Sequence, residues 1–154
     1  MTGIELIKRI RAEWPDLPVL VISIHDEDVY AERALNAGAN GYIMKEETDS
    51  SLLEAMRSVL KGDIYVSDSL MKRLVLQRVG QESEGSSPLD VLSDRELEVF
   101  EYLGQGLSTQ EIAEAMYISA KTVGTHRRNI KQKLSIDTNA QLQKRAVLWV
   151  EDEA

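Results

Sequence analysis

The apolar residues of the first half of the chain change from helical spacing to short continuous runs. An amphipathic helix is predicted at the start from apolar residues at helical spacing: Ile4, Leu6, Ile7, Ile10 and Trp14. The runs "LPVLVISI" (17–24) and "GYIMK" (41–45) predict short strands. The stretch 26–39 between them predicts a helix, so the order is strand, helix, strand.

Two further helices are predicted before the middle of the chain. Ser51 and Glu54 have the spacing of a capping box, which predicts a helix from Ser51 through about Lys61. A second helix is indicated by the spacing of Leu70, Leu74 and Leu76.

The segment 80–90 is rich in Gly, Ser, Glu and Pro and is interpreted as a linker. The organisation predicted from it is a first domain over residues 1–66, a helix and linker over 67–90, and a second domain over 91–154.

Four helix starts with similar capping chemistry follow the linker. Each start has a Ser or Thr at the predicted N-cap. Three of these caps are followed three residues later by a Glu or Gln: Ser93 with Glu96, Ser108 with Glu111, and Thr138 with Gln141. The fourth cap, Ser119, has no such residue. Since only Tyr117 and Ile118 separate the second helix from the cap of the third, these two helices must turn sharply, as in a helix-turn-helix.

The third of these helices is basic in an acidic protein. The chain of 154 residues has a formal net charge of -8, yet residues 119–134 contain five Lys and Arg and no acidic residue. On a helical repeat, one face carries Lys121, Thr125, Arg128 and Gln132, with Lys131 beside them. Such a helix fits the DNA major groove. The alternative interpretation is a solvated surface helix, but such a helix normally carries both acidic and basic residues.

The opposite face of the basic helix is predicted to pack through Val123, Ile130 and Leu134. His126, with no second ligand or carboxylate suggested nearby, is expected to pack or hydrogen-bond inside the domain.

Composition excludes several other classes of function. The chain has no cysteine and two isolated histidines, so neither thiol chemistry nor a metal site or other cofactor is expected. No apolar run approaches the roughly 18 residues of a membrane span, and no signal peptide pattern is present, so a cytoplasmic protein is expected.

Residues 92–136 resemble the LuxR-type helix-turn-helix of NarL/FixJ response regulators. The resemblance is carried by "LSDRELEV", "EIA", "ISAKTV" and "HRRNIKQKL" at fixed spacing. It implies a four-helix domain whose third helix enters the major groove, and Gly124 departs from it because the family commonly has a long residue there. The DNA-contacting candidates are Lys121, Thr122, Thr125, Arg128, Lys131 and Gln132.

The N-terminal segment resembles the second half of a receiver domain. The resemblance is carried by "MTGIELIKRIR", "VLVIS" and "GYIMK", and it implies switch roles for Ser23, Tyr42 and Lys45. In that family the phosphorylated aspartate and the acids that hold magnesium lie upstream of these segments, so phosphorylation of this chain is not expected. The fold class expected is mostly α: a four-helix LuxR-type domain preceded by a partial flavodoxin-like α/β receiver segment.

The function predicted is a DNA-binding transcriptional regulator and not an enzyme. The expected partners are double-stranded DNA, a second copy of the chain, and a sensor kinase for a longer natural form. The interface of the homodimer is expected on the last helix, through Leu142, Val147 and Trp149. The alternative is that these residues complete the core of a monomer. The alternative is a truncated regulator that acts by pairing with a full-length response regulator.

Overall fold

A computed structural model describes residues 2–80 and 87–153, which form two compact units that divide between Ser87 and Pro88. Helices and strands of the first unit are α1 Gly3–Glu13, β1 Leu20–Ser23, α2 Glu27–Ala37, β2 Gly41–Met44, α3 Thr48–Leu60 and α4 Asp68–Arg78. The helices of the second unit are α5 Asp94–Gly104, α6 Thr109–Met116, α7 Ala120–Lys133 and α8 Asn139–Glu153. The predicted class, a four-helix domain after an α/β segment, is confirmed.

The first unit is built on a two-stranded parallel sheet. β1 pairs with β2 in a register that runs from Leu20 opposite Gly41 to Ser23 opposite Met44. Its core is formed by alanine, aliphatic and aromatic side chains that pack together, chiefly Ile7, Ala31, Ala34, Ala37, Ala39, Tyr42 and Leu70. Small alanines on α2 allow this helix to pack closely against its neighbours.

The open edge of β1 is a feature of this sheet. Within the described residues β2 is the only strand paired with β1, and Ile22 and Ile24 beside that edge are 47% and 66% exposed. Unpaired backbone groups on a strand edge can pair with another extended chain.

Helix α4 belongs to the first unit, although the sequence predicted it in a separate connecting segment. Leu70 is 1% exposed and lies in the core of the unit. The guanidinium of Arg73 donates to Asp28 on α2 at 2.5 Å, so polar and apolar contacts both hold α4 against α2.

Helix α3 begins three residues before the predicted start. A 3₁₀ turn over Lys45–Glu47 leads directly into α3. The first residue of α3, Thr48, donates its hydroxyl proton to the carbonyl of Lys45 at 2.6 Å. Ser51 therefore lies inside the helix, and the predicted capping box at Ser51 is wrong because the preceding turn already has helical geometry.

The helix starts of the second unit match the predicted caps. Ser93 and Ser108 each form a complete capping box with a Glu three residues on. The backbone N–H of Gln141 donates to the hydroxyl of Thr138 at 3.2 Å, and the N–H of Thr138 donates to the side chain of Gln141 at the same distance.

Only part of the predicted linker can be compared with the structure. Residues 81–86 lie outside the described residues. Pro88–Val91 form a short 3₁₀ turn in which Leu89 is 4% exposed. The predicted linker therefore ends in a segment that packs into the second unit.

Helix α5 is the centre of the second unit. Leu97, Phe100 and Leu103 are at most 2% exposed. Gly104 permits close packing of α8, since a Cβ at this position would overlap the carbonyl of Ala146 and the side chain of Val150. The described residues contain no helix long and apolar enough to cross a membrane.

Candidate nucleic-acid interface

The turn between α6 and α7 is as short as the sequence predicted. Tyr117 ends α6 in the left-handed conformation, with φ 55° and ψ 43°, and Ser119 caps α7 by accepting from the N–H of Thr122 at 3.1 Å. The guanidinium of Arg127 on α7 donates to the hydroxyl of Thr109 on α6 at 2.7 Å. The two helices therefore form a helix-turn-helix joined by a side-chain hydrogen bond.

Helix α7 has a buried face and a solvent face, as predicted. Val123 and Ile130 are fully buried and Leu134 is 8% exposed. The outward face, defined here as the α7 stripe, comprises the exposed Lys121, Gly124, Arg128 and Gln132 with the half-buried Thr125 and Lys131. The packed face fixes the orientation in which the stripe meets solvent.

Three of the five cations of α7 lie on the α7 stripe. Lys133 instead donates to Glu96 at 2.7 Å, and Arg127 donates to Thr109. Lys121, Arg128 and Lys131 form no ion pair with the described residues. Their charge is therefore available to an anionic partner, as DNA phosphates would require.

Two threonine hydroxyls near the start of α7 already have partners within the helix. The hydroxyl of Thr122 lies 2.8 Å from that of Ser119. The hydroxyl of Thr125 donates to the carbonyl of Lys121 at 3.2 Å. Since a hydroxyl has one proton, Thr125 offers an external partner its methyl group and oxygen lone pairs only.

The α7 stripe ends in a shallow surface depression of about 440 Å³. Its lining residues are Arg128, Lys131, Gln132, Ser135, Ile136 and Asp137. Ser135 has a φ of 55°, which turns the chain sharply after α7. The depression extends the polar surface of the stripe beyond the last turn of the helix.

His126 is half-buried on the side of α7 away from the stripe. Its Nδ1 atom is buried and has no hydrogen-bond partner among the described residues. Its placement agrees with the prediction that His126 packs inside the domain.

The predicted receiver switch residues lie near the carboxyl ends of the two strands in the first unit. Ser23 lies opposite Met44 at the carboxyl ends of the parallel strands, and Lys45 follows Met44 directly. The Ser23 hydroxyl accepts from the N–H of His25 at 3.0 Å. The hydroxyl of Tyr42 donates to the carbonyl of His25 at 2.7 Å, and Tyr42 is 2% exposed.

The side chains at this end of the sheet do not form a magnesium site. A magnesium site requires converging oxygen ligands, mostly carboxylates. No group of three or more His, Cys, Asp or Glu residues that could hold a metal ion occurs in residues 2–80 or 87–153. We therefore assign no metal chemistry to Ser23 or Lys45.

The residues predicted at a dimer interface have different positions on α8. Leu142 is fully buried in its own unit, which corrects its predicted place at an interface, because a side chain without exposed surface cannot contact a second copy. Trp149 packs on Phe100 with ring centroids 5.6 Å apart, and Val147 is half-buried. Leu148, which the sequence reading missed, is 51% exposed.

A helix-turn-helix with a basic second helix, in a four-helix unit after a parallel α/β segment, defines a class of regulatory protein with a DNA-binding fold. Family comparison supports this class. Residues 90–146 match the bacterial regulatory proteins of the luxR family, and residues 1–57 match the response regulator receiver domain. The chain belongs to the NarL-type response regulators with a LuxR-type domain.

Curated relatives match most of the chain. The oxygen regulatory protein NreC of Staphylococcus carnosus is 33% identical over 145 residues, which cover 92% of this chain and 67% of NreC. The transcriptional regulatory protein DegU of Brevibacillus brevis is 35% identical over 155 residues, covering 92% of this chain and 66% of DegU. The chain therefore spans about two thirds of the length of these relatives.

Solved structures share the fold. RcsB from Salmonella enterica serovar Typhimurium, bound to promoter rprA in the presence of phosphomimetic BeF3−, has a TM-score of 0.62 and 23% identity, with 94% of this chain and 66% of that chain covered. RcsB bound to promoter P1flhDC has a TM-score of 0.63 and 24% identity, with 94% of this chain and 66% of that chain covered.

Proposed function

We propose that this protein binds double-stranded DNA through the α7 stripe and regulates transcription, with no catalytic step of its own. The observation that carries the proposal is the placement of Lys121, Arg128 and Lys131 on the outward face of a helix whose other face is buried. An α-helix fits the major groove, and cations beside it meet the phosphates that border the groove. The binding of RcsB to promoters in the two structures above supports this proposal.

A titration of random duplex DNA at several salt concentrations tests the proposal. Neutralised phosphates release counterions, so the logarithm of the association constant should fall linearly with the logarithm of the salt concentration. Duplex binding that is absent near physiological ionic strength, or that does not respond to salt, would contradict the proposal.

Removal of single cations from the α7 stripe should weaken duplex binding without unfolding the protein. We expect Arg128→Ala or Lys131→Ala to lower affinity and to make the salt slope shallower by about one unit for each phosphate that is no longer neutralised. The thermal midpoint should change little, because neither residue forms an ion pair with the described residues. Lys72→Ala, an exposed lysine of the first unit, is the matched control and should leave affinity unchanged.

The active form proposed is a homodimer that presents two α7 helices to successive half-sites. On α8, Leu148 and Val147 have exposed surface for this contact, whereas Leu142 does not. Sedimentation of the whole chain should give a dimer that Leu148→Lys converts to a monomer with unchanged helical content. A monomeric wild type at the concentration that saturates DNA would overturn the dimer.

A second candidate function is pairing with a full-length response regulator. The open edge of β1 favours it, because the exposed Ile22 and Ile24 lie beside a strand edge that can accept another strand. Light scattering of this chain mixed with such a regulator should reveal a mixed complex. If the mixture scatters as the sum of its separate components, this candidate is excluded.

A further inference from the structure

Gly124 leaves a gap in the middle of the α7 stripe. It lies three residues after Lys121 and four before Arg128, so it shares their face of the helix. A Cβ at Gly124 would have no atom within 4 Å apart from its chain neighbours and the backbone of its own helix, and its φ lies outside the range in which L residues are strained. Neither packing nor backbone conformation therefore requires glycine here, although glycine is among the poorest helix formers.

The residue next to the gap presents apolar surface. The hydroxyl proton of Thr125 is donated to the carbonyl of Lys121, so its methyl group and its oxygen lone pairs remain for a partner. Gly124, which has no side chain, and the half-buried Thr125 are adjacent on the α7 stripe between Lys121 and Arg128, and this pair is called the notch below.

We propose that this notch, defined by Gly124 and Thr125, reads a thymine by accepting its C5-methyl group. The inference rests on the proposed DNA-binding function and adds a residue that determines base preference. Thymine is the base that carries a methyl group into the major groove, and apolar side-chain surface is its usual partner. A missing side chain at Gly124 lets the helix backbone approach the base edge closely.

The hydrogen-bonding state of Thr125 is compatible with the same base pair. Guanine presents only acceptors in the major groove, and Thr125 has no free proton to donate to them. Adenine and cytosine each present an amino group that the lone pairs of Thr125 can accept, so the thymine methyl group is what distinguishes the A·T pair. An A·T pair therefore satisfies the oxygen and the methyl group of Thr125 together.

The first experiment selects duplexes from a random pool with the whole chain and measures affinity for the selected site. We expect one thymine to be required in each half-site. Replacing it with deoxyuridine, which removes only the methyl group, should weaken wild-type binding about fourfold, the amount expected for one buried methyl group. Deoxyuridine at thymines outside the half-sites is the control and should have no effect.

The second experiment fills the notch with Gly124→Ala. The variant should unfold at a higher temperature than the wild type, because alanine is the better helix former and meets no neighbouring atom. It should bind the selected site on the order of tenfold more weakly, as for a mismatched base pair. For Gly124→Ala, replacing the required thymine with deoxyuridine should strengthen binding, because the base then lacks the methyl group that collides with the new Cβ.

The two experiments separate this inference from the function on which it rests. If the wild type binds duplexes but Gly124→Ala binds the selected site equally well, or deoxyuridine has the same effect on both proteins, the notch does not read thymine. The same conclusion follows if selection yields no required thymine. If neither protein binds any duplex, the DNA-binding function itself fails.

Discussion

Glu96 connects two helices of the second unit through one carboxylate. It accepts from the backbone N–H of Ser93 at 2.9 Å, which completes the cap of α5, and from Lys133 of α7 at 2.7 Å. Burial alone would raise the pKa of Glu96, but Lys133 and Ser93 outweigh burial and hold the pKa below its ordinary value of 4.5. The ionised form is therefore the one that the fold stabilises.

Acidification should destabilise the second unit through Glu96. Because its pKa is lowered by folding, its contribution is fully present above the unfolded pKa near 4.5 and is lost as the pH falls through the lower folded value. Urea unfolding at a series of pH values should show this loss in the wild type. In Glu96→Gln, stability should be roughly 1 kcal/mol lower at neutral pH and should decline less on acidification. An equal acid dependence in both proteins would contradict this role of Glu96.

Gly104→Ala should destabilise the second unit strongly. Its Cβ would overlap the backbone of Ala146, which cannot move without displacing α8. We expect a loss of about 1–3 kcal/mol in the free energy of unfolding, the range for overpacked sites. Gly124→Ala is the matched control, since it places the same methyl group on an exposed helix position with open space around it. Chemical denaturation of both variants should give changes of opposite sign.

At the scale of the element, the first turn of α7 lacks an acidic residue that would repel a polyanion. Helices α5 and α6 have an acidic residue in the first turn, whereas α7 and α8 have none. An acid there would favour the helix dipole but would repel phosphates. The composition of this turn is therefore compatible with the proposed DNA contact.

Ser119→Asp should separate folding from binding. Aspartate caps as well as serine, and its charge adds about 0.3–1 kcal/mol at a helix N-terminus. We expect a thermal midpoint equal to or above that of the wild type, together with weaker affinity for duplex DNA. Ser119→Ala is the comparison: it should lower the midpoint through loss of the cap. Unchanged affinity in Ser119→Asp would place the start of α7 away from the phosphates.

Local sequence patterns predicted the positions of the helices and strands better than the tertiary contacts of individual side chains. Val123 and Ile130 were predicted on the packed face from periodicity alone, because helical spacing determines which residues share a face. The pattern could not show that Leu142 packs in its own unit, since a core and an interface require the same apolar spacing. The partners of Arg127 and Lys133 also depend on tertiary structure, so charge counting overestimated the cations available on α7.

Prediction of the first unit from its sequence was limited in a similar way. The strands and their order were predicted from apolar runs, and the parallel pairing follows from the helix between them. The start of α3 was misplaced because a capping-box pattern also occurs inside a helix when the preceding turn is already helical. Sequence spacing alone does not distinguish these two cases.

At the scale of the whole molecule, both units carry a net negative charge. Residues 1–87 contain fifteen acidic and ten basic residues, and residues 88–154 contain eleven and eight. Repulsion between the more acidic unit and DNA favours approach through the α7 stripe. Net charge thus affects the rate and orientation of association, while the α7 stripe is the proposed contact.

A protein limited to residues 88–154 should keep the ability to bind duplex DNA. This unit contains its own core and the whole α7 stripe. We expect affinity for random duplex at low salt equal to or above that of the whole chain, because five net negative charges have been removed. Circular dichroism establishes that the fragment is folded. A folded fragment that binds no duplex would show that the first unit supplies part of the contact.

The unpaired side of β1 has a consequence for handling the protein in solution. Association by backbone pairing at that edge and association through α8 would both increase with concentration, yet they would stabilise different assemblies. A dilution series in which β-structure is followed by infrared spectroscopy distinguishes them, since strand pairing adds intermolecular β-sheet and helix contact does not. Concentrated stocks are therefore expected to form aggregates rich in such sheet, and a proline placed at Ile22 should suppress them.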